Sequence, residues 1–131
     1  MVSDIRTVLT KRKPVSEVAS SLLQKATELW DAGQLLKAVE LCKKLEVLGE
    51  AGADEYLMIA DYACKNHEFS KAVSAYKNAL KVDENSFQAH VGLVRSLNMA
   101  GQPTKARSHL KGIKKKDPDL ASLVEDVLTG L

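Results

Sequence analysis

Three histidines and two cysteines are the residues best suited to hold a metal, and their spacing does not assemble a site. His67, His90 and His109 fall in a turn and on two different helical stretches, with no histidine at i+4 and no glutamate in a ligand spacing. Cys42 and Cys64 lie inside helical stretches without C-x-x-C spacing, so they read as small buried hydrophobes, not as a zinc site or a disulfide framework. Serine, histidine and aspartate are scattered, with no G-x-S-x-G elbow, phosphate loop or dinucleotide fingerprint. These patterns point to a non-catalytic protein that uses no metal and no cofactor.

Charge narrows the partners. Lys plus Arg number 19 against 17 Asp plus Glu, a balance too even to build the strong field of a nucleic-acid module. Lys114, Lys115 and Lys116 close a helix, where cations offset the negative end of the dipole, and Lys111 joins the same solvated face. Together with Lys11, Arg12 and Lys13 they offer a basic patch for an acidic partner, but neither cluster is interleaved with aromatics as a single-strand platform would be. No apolar run approaches the roughly 18 to 20 residues of a membrane span, and Met1 to Pro14 lacks the apolar core of a secretory signal. The expectation is a cytoplasmic protein with a protein or peptide partner.

The elements that carry these residues follow from composition and internal repetition. The chain is 45% apolar, 27% charged and only 5% aromatic, rich in long unbranched and small side chains that favour helix. Its 131 residues fit one domain with a self-sufficient core. The segments DAGQLLKAVELCKKL from Asp31, KNHEFSKAVSAYKNAL from Lys65 and MAGQPTKARSHLKGI from Met99 align at a constant offset of 34 residues. Gly33, His67 and Gly101 coincide in this alignment, as do Lys37, Lys71 and Lys105, then Ala38, Ala72 and Ala106, then Cys42, Tyr76 and Leu110.

Each repeat unit holds two helical stretches. In the middle unit Tyr56, Ile59, Ala60 and Ala63 keep helical spacing, and after the Asn66-His67 turn so do Phe69, Ala72, Val73, Tyr76 and Leu80. Helices are expected at about 16–31, 35–48, 54–66, 69–82, 86–100 and 103–115. Gly33 and Gly101 suit the positive φ that ends a helix, and His67 must take that conformation with a side chain attached. Pro103 fits a first helical turn, and Asp117-Pro118 reads as a cap followed by proline at the first helical position. Alanines at 38, 72 and 106 let paired helices approach closely, with Ala26 and Ala60 meeting them from the facing helix. Beyond Asp117, Leu120, Val124, Val127, Leu128 and Leu131 form a stripe suited to covering the last pair.

A 34-residue helix-turn-helix period, with a small residue midway in each helix and glycine at the turn, resembles the tetratricopeptide repeat (TPR) over about Ala19 to Leu120. The second repeat matches best, with Tyr56, Ala60, Phe69, Ala72, Tyr76 and Ala79 on signature positions. Lys25 where leucine is typical, Leu45 and Ile113 where alanine is usual, and Val94 at a small-residue position depart from the pattern; Pro118 is the sole terminal proline of its kind. The resemblance implies an all-α superhelix of three antiparallel helix pairs with a C-terminal capping helix. It places repeats at about 19–52, 53–86 and 87–120, a cap at about 118–129, and an N-terminal segment 1–14 ahead of a repeat domain 15–131.

The resemblance also implies a concave groove lined by the first helices of successive repeats, receiving a peptide of a partner. Transferred residue by residue, the groove set is Ser20, Leu23, Thr27 and Trp30, then Asp54, Leu57, Asp61 and Cys64, then Gln88, Val91, Arg95 and Asn98. Leu23, Leu57 and Val91 share one repeat position and would form an aliphatic floor, with Trp30 as a large anchor. The same aliphatics are equally suited to packing between helices. Leu23 and Thr27 stand where lysine and asparagine hold a chaperone C-terminal carboxylate in some members, which disfavours that ligand. Adaptor or scaffold is the leading expectation. A self-associating assembly module, driven by a stripe of Ile5, Val8 and Leu9, remains open. So do a secretion or pilus chaperone and an output domain of a bacterial response regulator, the last on layout and a basic linker alone.

Overall fold

A computed structural model describes residues 16–130, and every regular element among them is a helix. They are α1 (Glu17–Asp31), α2 (Leu35–Val47), α3 (Ala53–Lys65), α4 (Phe69–Val82), α5 (Phe87–Met99), α6 (Pro103–Lys116) and α7 (Pro118–Thr129). The boundaries fall within one residue of those expected, because capping residues stand just outside the hydrogen-bonded turns. Ser16 and Ser86 each accept a backbone N–H, from Ala19 at 3.1 Å and Ala89 at 3.2 Å, and so start α1 and α5 from outside. The chain divides into two compact units, one ending at Ala51 and the other beginning at Gly52.

The first unit pairs α1 with α2. Ala19 and Ala26 from α1 and Ala38, Val39, Cys42 and Leu45 from α2 are all buried. The small side chains bring the two backbones together, and Leu45 fills the space left where a smaller residue is usual. The Ser16 N–H donates to Glu50 Oε2 at 3.2 Å, tying the start of this hairpin to the chain leaving it.

The second unit pairs α3 with α4 and α5 with α6, and α5 also packs on α4. Ala60 and Ala72 are fully buried, as the close-approach argument requires. Val94 and Ala106, at the corresponding places in α5 and α6, are also buried, so the valine is accommodated in the core. Glu55 is buried yet satisfied at the start of α3, where its carboxylate accepts the Gly52 N–H at 2.7 Å. Asp117 accepts the Leu120 N–H at 3.0 Å and, with Pro118 in the first turn, starts α7. α7 lies on α6 and α5, with Ala121 and Val124 buried and Leu128 packed against the core. Val127 points outward and is 37% exposed, while Leu131 lies outside the described residues.

The three hairpin turns share one geometry. Gly33 and Gly101 have φ of +82° and +78°, and His67 takes φ of +59°. In each, the residue after the turn donates to the carbonyl five residues back: Gln34 to Leu29 O at 2.9 Å, Glu68 to Ala63 O and Gln102 to Leu97 O, both at 2.8 Å. His67 sits edge-on to the Phe69 ring at 5.8 Å, a contact glycine would lack. The segment containing Ile5, Val8, Leu9 and the Lys11-Arg12-Lys13 cluster lies outside the described residues.

Candidate functional site

The first helix of each hairpin carries the residues expected to meet a partner, at i, i+3, i+7 and i+10, a spacing that keeps them on one helix face. On α1, Leu23 and Trp30 are half-buried and Ser20 and Thr27 are exposed, the Thr27 hydroxyl donating to Leu23 O at 3.0 Å. On α3, Asp54 and Asp61 are exposed, Cys64 is half-buried and Leu57 is buried at 8% exposure. On α5, Gln88, Arg95 and Asn98 are exposed and Val91 is buried at 6%. Within the second unit α3 and α5 are direct neighbours, so Asp61 and Arg95, at one repeat position, stand on adjacent helices. Leu57 and Val91 are thus largely withdrawn into the core, and the exposed residues of this face are polar.

A polar network from the core fixes part of this face. The Tyr76 hydroxyl, from α4, donates to Asp61 Oδ1 at 2.7 Å. It also lies 3.8 Å from Cys64 Sγ, which is 3.5 Å from Ser96 Oγ. Burial of Tyr76 first, and then its bond to Asp61, push the phenol well above its ordinary pKa, so the hydroxyl stays protonated and keeps donating. The carboxylate of Asp61 is thus held at one oxygen.

The Tyr76 ring reaches this position because residue 92 has no side chain. A Cβ on Gly92 would overlap the ring carbons of Tyr76, so α5 and α4 can meet with the ring between them only at a glycine. Tyr76 is legible in the sequence as a repeat-signature residue, whereas Gly92 and Ser96 stand outside that pattern. A glycine inside the helical pattern HVGLVRSL was the available signal.

The structure also joins two histidines that sequence spacing kept apart: His90 Nδ1 and His109 Nε2 are 2.9 Å from each other, across α5 and α6. Neither Cys42, which is buried, nor Cys64, which is half-buried, forms a disulfide among the described residues. Among the described residues no helix is long and apolar enough to cross a membrane.

Hairpins of 34-residue period, closed by the same turn and packed through alanines, are matched by a family profile. The tetratricopeptide repeat profile covers residues 63–129, from the end of α3 through α7. The chain belongs to the tetratricopeptide repeat family. Such repeats generally mediate protein–protein interaction. A solved structure described as an Arabidopsis OM64 TPR domain is similar at a TM-score of 0.66 and 18% identity, over 86% of this chain and 95% of that one. At that identity the likeness shows the TPR fold alone. No curated protein matches the chain.

Proposed function

We propose that this TPR protein is a cytoplasmic, non-catalytic adaptor or scaffold that binds a peptide segment of a partner protein. The reading rests on one observation above the rest: Asp61, Arg95 and Asn98 stand exposed on the neighbouring first helices α3 and α5, above a tightly packed core. Packed helices whose backbone is already ordered lose little entropy on binding, and Asp61 is further held by Tyr76, which favours recognition by preorganisation. Leu57 and Val91 form the floor between the rims, and Cys64 belongs to the same face. In the first unit Leu23, Thr27 and Trp30 are the corresponding contact residues on α1.

Burial of the floor decides what kind of contact dominates. With less than a tenth of each side chain exposed, Leu57 and Val91 have little apolar area left to remove from water, at about 25 cal/mol per Å2. Specificity in the second unit therefore falls to the charged and amide groups of the rims. Peptides selected from a random library against the native protein should lose at least tenfold in affinity to the Asp61→Lys, Arg95→Glu double variant, which should remain folded by circular dichroism. Equal binding to that folded variant would remove the face from the account.

A further inference from the structure

Beyond the peptide-binding face, the second unit holds a cavity of about 480 Å3 bounded by α4, the α4–α5 turn, α5, α6 and the start of α7. That volume lies within the range of small-molecule sites. Its walls are apolar at Leu80, Ile113 and Leu120, and its polar groups include Asn85, Ser108, His109 and Lys116. The two acidic residues that border it are Glu84 and Asp117. Asp117 is already engaged, accepting the Leu120 N–H at 3.0 Å.

The histidine pair at this cavity has a defined hydrogen inventory. A carbonyl oxygen only accepts, so His90 Nε2 carries a hydrogen and donates it to Glu84 O at 2.8 Å. An imidazole that donates from one nitrogen accepts at the other, and in that tautomer His90 Nδ1 accepts from His109 Nε2 at 2.9 Å. His109 Nδ1 is left with a bare lone pair and no partner among the described residues. His90 is buried and His109 half-buried, so this lone pair is the unused valence of an otherwise satisfied chain.

We propose that the cavity binds a carboxylate carried on a short apolar body, and that His109 takes up a proton at Nδ1 when the ligand enters. The apolar body lies against Leu80, Ile113 and Leu120. The proton is given up by the buffer acid in solution, which is left as its conjugate base, and the resulting imidazolium donates from Nε2 to His90 and from Nδ1 to the carboxylate. The His90 bond to Glu84 O is unchanged, so no rearrangement of α5 is required. Charges around the site are positive at Lys77 and Lys116 and negative at Glu84 and Asp117. Without ligand, burial, His90 and Lys77 hold His109 below its ordinary pKa, at about 4. A bound anion supplies the missing counter-charge, which is the condition for proton uptake.

Calorimetry with hexanoate, its neutral isostere hexanamide, and an N-acetylated trileucine with a free C-terminal carboxylate tests the assignment. Hexanoate or the peptide should bind saturably, with hexanamide at least tenfold weaker. Titration in two buffers of different ionisation enthalpy should show proton uptake at pH 6.5. Affinity should rise as the pH falls from 7 to 5.5, by up to about tenfold per unit at full coupling to one proton. Binding by hexanoate alone assigns the site to a free small carboxylate, and binding by the peptide alone to a chain terminus. His109→Gln should abolish the proton uptake, and the His109 ring nitrogen shifts in the native protein should report protonation on binding. Equal binding of hexanoate and hexanamide, absence of proton uptake, or no saturable binding of either carboxylate up to millimolar concentration would overturn the proposal.

Discussion

Gly92 and Tyr76 show how one missing methyl group determines where a buried ring and its hydroxyl lie. The ring occupies the space where a Cβ would stand, and from there its hydroxyl reaches Asp61 at 2.7 Å. Gly92→Ala should therefore destabilise the protein by about 1 to 3 kcal/mol, as overpacked sites do. In a Tyr76→Ala background the same change should cost far less, because the overlap is gone. Urea denaturation of the four proteins of this cycle gives the coupling directly. Neither the overlap nor the hydroxyl bond could be read from the sequence. Asp61 and Tyr76 are 15 residues apart and Cys64 and Ser96 are 32 apart, and which of them meet depends on how α3, α4 and α5 cross. His90 and His109, 19 residues apart, meet for the same reason, through the way α5 and α6 cross.

Elements were far more legible than contacts, for a physical reason. Alanines at 38, 72 and 106 and turn residues at 33, 67 and 101 report local requirements, close approach and positive φ, that each residue type meets on its own. The end of α6 and the start of α7 were readable in the same way, since Asp117 and Pro118 are local signals. The direction of Val127 was not, because the stripe of α7 turns partly away from α6 and α5 and leaves that side chain 37% exposed. Asp117→Ala should lower stability by about 1 kcal/mol through the lost cap. The loss should be concentrated in α7, with its amides exchanging faster while those of α3 and α4 keep their protection.

For the molecule as a whole, pH is the condition to which the structure gives a direction. His109 in the unfolded chain protonates near pH 6.5, whereas burial, His90 and Lys77 delay protonation of the folded form to about pH 4. Between these values the unfolded chain binds more protons, so stability present above pH 6.5 is lost as the pH falls toward 4. The ring is partly solvated, and the loss from this residue should be on the order of 1 to 2 kcal/mol. Thermal midpoints taken across that window should decline less steeply for His109→Gln than for the native protein.

On the proposed function, the exposed rims of α3 and α5 receive a peptide of a partner. Amide chemical shifts of the uniformly labelled protein, followed during titration with a library-selected peptide, test it most directly. Perturbations are expected at Asp61, Cys64, Arg95 and Asn98, with residues on the outward face of α4, such as Lys81, unmoved. Perturbations confined to α4 and α6, with Asp61 and Arg95 silent, would contradict it.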